Sequence, residues 1–188
     1  IVSSNNDGLA ALISEAGGVP LDLGIAADKR EAIRATARRA IGADMLVTLG
    51  GASVGDHDLV QSALAEDGLD IDFWRIAMRP GKPVFFGTLA SGSRGSQRVI
   101  GLPGNPVSTL LCGRVFAVPL IRALLGLAPD CWVRRRAITA HDLPGNGPRT
   151  HFMRATLALR QASCCAAAAS LMSFQRSPPA LMPSRVAS

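Results

Sequence analysis

Three short stretches hold residue types that could do chemistry. In "WRIAMRPGKP", residues 74–83, Arg75, Arg79 and Lys82 fall within eight positions, and Pro80, Gly81 and Pro83 confine the backbone to an extended or turning path. Three cations on a stiff loop suit an oxyanion or a pyrophosphate, since guanidinium and ammonium groups form charge-assisted bonds to oxygen; they also suit a solvated surface turn. In "LGGASVGDHD", residues 49–58, Gly50, Gly51 and Gly55 let backbone N–H groups turn toward a ligand, and Ser53 adds a hydroxyl. The helix start that follows favours an anion. Alone, that string reads equally well as a tight turn with a helix cap, and Asp56 and Asp58 as ordinary helix-dipole partners. In "GLPGNP", residues 101–106, Pro103 and Pro106 fix φ and remove donors, Gly101 and Gly104 permit close approach, and Asn105 can bond its own turn. Such a loop fits a preformed pocket wall. Ser108, in the next helical turn, either faces a ligand or caps, and Asp28 has an equally plain reading as a helix cap.

These loops need strands behind them. "SSNNDGLAALISEAGG" predicts a helix from Ser3, with several cap candidates, apolar Leu9, Leu12 and Ile13, and a glycine pair as its stop. "VPLDLGI" (19–25) alternates over a short span as a strand does, and residues 28–42 carry Ile33, Ala37 and Ile41 at helical spacing. "DMLVTL" (44–49) is an apolar run typical of a strand covered on both faces. A helix near 57–67, a strand over 69–77, the hairpin "VFFGTL" and "RVIGL" around a Gly/Ser-rich turn at 91–97, and an apolar helix from Val107 to Leu125 follow. Pro119 predicts a kink in that last helix. Strand alternating with helix means an α/β fold: a three-layer sandwich with a mostly parallel, mixed sheet and helices on both faces. In such sheets ligands bind beyond the carboxyl ends of the strands, and all three loops leave strand ends, which predicts one shared crevice.

Residues 1–128 form this domain, residues 129–160 read as the start of a small β domain, and residues 161–188 as an atypical, disordered tail without secondary structure. The opening "IVSSNN" reads as a strand end entering a helix and predicts a portion upstream. Residues 1–128 hold 12 Lys/Arg against 12 Asp/Glu, so the net charge of +6 arises from residues 129–188, with 8 against 2. Tyrosine is absent and aromatics are 4%, so neither a basic face on the main domain nor stacking platforms favour nucleic acid. The 4 cysteines show no metal spacing, which fits free thiols in a reducing compartment and a cytoplasmic protein. No apolar run is expected to reach membrane-span length. Cys112 and Met78 read as packing, His57 as an exposed helix-start residue, and His141 with His151 as no metal pair.

"GGASVGDHD", "FWRIAMRPGKPVFFG" and "GLPGNPVS", in this order and spacing, resemble the molybdopterin molybdenumtransferase family, which includes bacterial MoeA and the gephyrin E domain. "LPGNGPRTHFMRA" (143–155) is similar to the start of that family's C-terminal β domain. The resemblance implies insertion of molybdate into adenylated molybdopterin with release of AMP. It implies Asp28 and Asp58 as catalytic acidic residues, Mg²⁺ at Asp58, and molybdate contacts from Lys82, Ser108 and Arg149, with Arg154 an alternative to Arg149. Pro103 and Pro106 match pocket-lining prolines, and Arg75 and Arg79 stand where many members carry lysine. With Gly50, Gly51, Ser53, Gly55, Gly104 and Asn105 these complete the expected ligand-binding set. The family also implies a homodimer and two N-terminal regions that are not in this stretch. Two other readings stay open: the related molybdopterin adenylyltransferase, which typically carries a "GGTG" turn, and a noncatalytic molybdopterin-binding or scaffold module.

Overall fold

The computed structural model describes residues 4–50, 59–90, 95–130, 132–143, 145, 147–158 and 168–175. Two compact units result, one of residues 1–76 with 80–134, the other of residues 77–79 with 135–188.

The first unit is built on a four-stranded sheet of β1 (Met45–Leu49), β2 (Leu69–Trp74), β4 (Phe85–Ala90) and β5 (Ser96–Leu102), in the order β1-β5-β4-β2. β1 pairs parallel with β5, whereas β4 runs against both β5 and β2. The sheet is therefore mixed, with β1, β5 and β2 all pointing one way. Neighbouring residues of β1 show the layering: Leu46 joins a core with Ala37, Ala40, Leu64 and Phe85, while Met45 packs against Ala16, Val118 and Ile121. Adjacent strand residues face opposite sides, so helices α2 (Arg30–Arg38) and α3 (Leu59–Ala65) cover one face. Helix α1 (Ser4–Glu15), with α4 (Pro106–Cys112) and α5 (Val118–Leu124), covers the other. This is the expected three-layer α/β sandwich.

Local departures have local causes. Residues 19–25 form no strand: Asp22 Oδ1 accepts from the Gly24 N–H at 2.8 Å, Gly24 takes φ +79°, and Val19 and Ile25 stay exposed. An aspartate turn has overridden a short apolar alternation. The cap of α2 is Lys29 rather than Asp28. Ahead of Pro119 the backbone runs through a π-helical stretch, Gly113–Ala117, in which the Val118 N–H bonds the Gly113 carbonyl. Proline has no N–H to give, so the helix slips register there rather than losing its ladder.

Contrary to the expectation of no such run, Pro106–Leu124 is long and apolar enough to cross a membrane by length and composition, with 19 residues and mean hydropathy 1.6. Its Thr109, Leu111, Cys112, Ala117, Val118 and Ile121 are buried, which accounts for that apolarity as a core helix's.

In the second unit, β6 (Thr150–Ala158) pairs parallel with the two-residue β3 (Met78–Arg79) and antiparallel with β7 (Ala168–Gln175). The tail, read as lacking secondary structure, thus contributes a strand. Its residues 161–167 and 176–188 lie outside the described set, as do residues 159–160 and residues 91–94 of the Gly/Ser-rich turn.

Candidate functional site

Because β1, β5 and β2 share a direction, their carboxyl ends lie along one edge of the sheet. The three loops singled out above begin there, after Leu49, Trp74 and Leu102.

Two of them touch. Gly50, at φ +81°, donates its N–H to the Leu102 carbonyl at 3.0 Å, and a Cβ built on Gly104 would sit 3.3 Å from the Gly50 Cα. The glycines permit a backbone approach that side chains would crowd. "GLPGNP" is held from below by Thr109, fully buried, whose hydroxyl donates to the carbonyls of Pro103 and Asn105. Asn105 is the N-cap of α4, its Oδ1 accepting from Val107 and Ser108, and Pro106 occupies the first turn, where a missing N–H costs nothing. Ser108 is therefore not the cap, and it lies buried at 8% exposure. Asn5 of α1 adds a strut, its Nδ2 donating to the Gly104 carbonyl at 2.8 Å. The sequence reading missed Asn5, treating "SSNN" only as cap candidates; four cap-type residues in a row exceed what one cap needs.

The cationic loop behaves differently. β2 was expected to reach Ala77 but stops at Trp74, because Arg75 adopts φ +71°, a left-handed conformation uncommon for a residue with a side chain. The Arg75 N–H donates to the Val84 carbonyl, and the Lys82 carbonyl accepts from Ile76 and Val84. The guanidinium lies over the Trp74 ring at 3.9 Å, a cation–π contact. Lys82 is exposed beside Gly81, at φ +104°. The three cations do not stay on one loop: Arg79 belongs to β3 of the second unit, paired with His151, while Met78 pairs with Thr150. Exposed Arg149 immediately precedes that pairing.

The remaining candidates are not gathered. Asp28 is exposed on the irregular segment before α2, and Gly51, Ser53, Gly55, Asp58 and His57 lie outside the described residues. Among the described residues no group of three His, Cys, Asp or Glu side chains could hold a metal. These residues alone do not form a Mg²⁺ site. Cys112 is a free thiol, and burial pushes it up to about 12, which removes it as a nucleophile. A concavity of about 210 Å³, lined by Ala37, Arg38, Ile41, Asp67, Leu89 and Ala90, opens at the opposite end of the sheet. It includes none of the loop residues.

Residues 1–123 match the family described as "Probable molybdopterin binding domain". A molybdopterin molybdenumtransferase of Nostoc sp. is 37% identical over 161 residues, spanning 85% of this chain and 36% of the relative. That of Bacillus subtilis is 34% identical over 157 residues, 82% of this chain and 35% of its own length. A crystal structure of a molybdopterin biosynthesis protein, moea, from Pyrococcus horikosii superposes with a TM-score of 0.57 at 33% identity, covering 67% of this chain and 30% of that one. The chain thus spans about a third of the length of these relatives.

Proposed function

The chain belongs to the probable molybdopterin binding domain family, and from that premise we propose that it serves molybdenum cofactor synthesis as part of a molybdopterin molybdenumtransferase. The reaction that the resemblance implies is insertion of molybdate into adenylated molybdopterin with release of AMP, and the Nostoc and Bacillus relatives carry the name molybdopterin molybdenumtransferase. The observation that carries this reading is the edge where β1, β5 and β2 end. Two loop backbones meet there through Gly50 and Gly104, with Arg75 and Lys82 on the loop beyond β2.

In this reading Lys82 and Arg75 neutralise phosphate or molybdate oxygens, and the glycines let ligand and backbone come close. Pro103, Asn105 and Pro106 keep the pocket wall in shape without ligand present. Ser108 is a further molybdate contact, while Arg79 and Arg149, the other cations that the resemblance implies, belong to the second unit. Asp28 and Asp58 are the catalytic carboxylates. Mg²⁺ would draw on Asp58 together with substrate phosphate oxygens, which is how the ion is commonly held. A homodimer in the cytoplasm completes the reading, supported by the resemblance and by Cys112 as a free thiol.

The test is calorimetry with molybdate, with tungstate as close competitor and sulfate as control, followed by AMP release from adenylated molybdopterin. Molybdate binding that discriminates against sulfate, with AMP release, is the expected result. Binding without AMP release would make this stretch a noncatalytic binding module, and formation of adenylated product from ATP would make it an adenylyltransferase.

A further inference from the structure

Thr48 is the penultimate residue of β1, and its Oγ1 is shielded from solvent with no hydrogen-bond partner. Among the described residues one other buried side-chain polar atom shares that state, Nε1 of Trp74. The strand register places both in one transverse row: Thr48 lies opposite Gly101, Gly101 opposite Phe85, and Phe85 opposite Trp74. Paired residues share a face, so two unsatisfied groups stand at the two ends of one row, at the edge where the candidate loops begin. Both residues are only partly buried as a whole, which places them at the rim of the core.

Among the described residues, two buried polar side chains elsewhere are satisfied. Gln97 Nε2 donates to the carbonyls of Ala40 and Ala43, and Thr109 donates to two carbonyls. An unsatisfied buried hydroxyl costs about 1–3 kcal/mol, and valine, of the same shape and well suited to a strand, would avoid it. Stability does not explain threonine here.

We propose that Thr48 is a ligand-recognition residue whose hydroxyl hydrogen-bonds an uncharged heterocyclic portion of the ligand, the pterin. This rests on the reading above, that the edge binds molybdopterin. The choice of the pterin over a phosphate follows from the strand order. Thr48 is three strands from β2, roughly 14 Å at ordinary strand spacing, and Arg75 and Lys82 follow β2. The oxyanions that Arg75 and Lys82 neutralise lie at that end. A hydroxyl both donates and accepts, which matches a ring edge carrying both kinds of group.

The experiment compares Thr48→Val and Thr48→Ser with the wild-type chain by calorimetry, using adenylated molybdopterin, with AMP as the probe that lacks a pterin. Thr48→Val is expected to bind adenylated molybdopterin about tenfold more weakly and AMP unchanged, with a melting temperature equal to or above wild type. Thr48→Ser is expected to restore most of the affinity. If Thr48→Val lowers the melting temperature, the comparison of Thr48→Ser with Thr48→Ala decides in its place. Equal affinity with and without the hydroxyl overturns the inference, as does a parallel loss of AMP binding. Failure of the wild-type chain to bind adenylated molybdopterin overturns the functional reading and this inference with it.

Discussion

The two ends of the same sheet are built to different rules. At the amino end of β2, Arg34 grips Asp67 in a fork, with Nε to Oδ2 at 3.0 Å and Nη2 to Oδ1 at 2.7 Å, while Arg38 adds a third bond at 2.7 Å. Glu66 pairs with Arg30 and Arg34, and Gln97 closes off two carbonyls. Every one of these groups finds its partner inside the chain. At the carboxyl end, Thr48 and Trp74 leave polar atoms unmatched and Arg75 holds a strained φ. A fold that satisfies one edge and leaves hydrogen-bonding capacity on the other has a reason to do so, and a ligand is the simplest.

The strongest way to break this comparison is at Gly101. A Cβ there would lie 1.9 Å from Phe85 Cε1, inside the ring that fills the glycine's place. Gly101→Ala should therefore destabilise the first unit by about 3 kcal/mol or more, read as a lost or early thermal transition. Gln97→Leu comes next. It leaves the Ala40 and Ala43 carbonyls without this donor in a site where Gln97 is 2% exposed, and should cost about 2 kcal/mol in urea unfolding. Molybdate affinity should not move, because the amino end takes no part in binding. A fall in affinity would show that the two ends are coupled.

How much of this was legible in the sequence follows the range of the interactions. "GLPGNP" was readable because proline and glycine act on their own backbone, and Asn105 caps within three residues. The apolar runs of β1 and β5 were readable for the same reason. Arg75 was not, because a side-chain-bearing residue at positive φ is held there by the Val84 carbonyl and the Trp74 ring, not by its own preference. Nor was the departure of Arg79 into a strand of the second unit, which depends on β6, some seventy residues further along. In the sequence Thr48 is simply a β-branched residue within the apolar run 44–49. Its hydroxyl became informative only once the register showed what it lacks.

Lys82→Ala sharpens the contrast from the other side. Lys82 is exposed, and the loop bonds at this position use its carbonyl, not its ammonium group. The substitution should leave the melting temperature in place while weakening molybdate binding about tenfold, the usual scale for losing one charge-assisted contact. Unchanged affinity would remove Lys82 from the site.

The smallest effect belongs to the amino end and depends on pH. Bonds from Arg34 and then Arg38 hold the Asp67 carboxyl down to about 2, from an ordinary 3.8. A depressed folded-state value means that the ionised carboxylate favours the fold. That contribution is complete above 3.8 and is lost as the pH falls through about 2. Asp67→Asn should therefore lower the melting temperature by a few degrees at neutral pH, and the two proteins should converge as the pH approaches 2. Salt should narrow the gap, since Arg38 is 58% exposed and its share of the attraction is screened. Molybdate binding at neutral pH should be the same in both, because the carboxylate is paired with Arg34 and Arg38 at the end of the sheet opposite the candidate loops. A difference that persisted unchanged to pH 2 would mean that Asn fails for its shape rather than its charge, and the amino end would then owe its stability to packing.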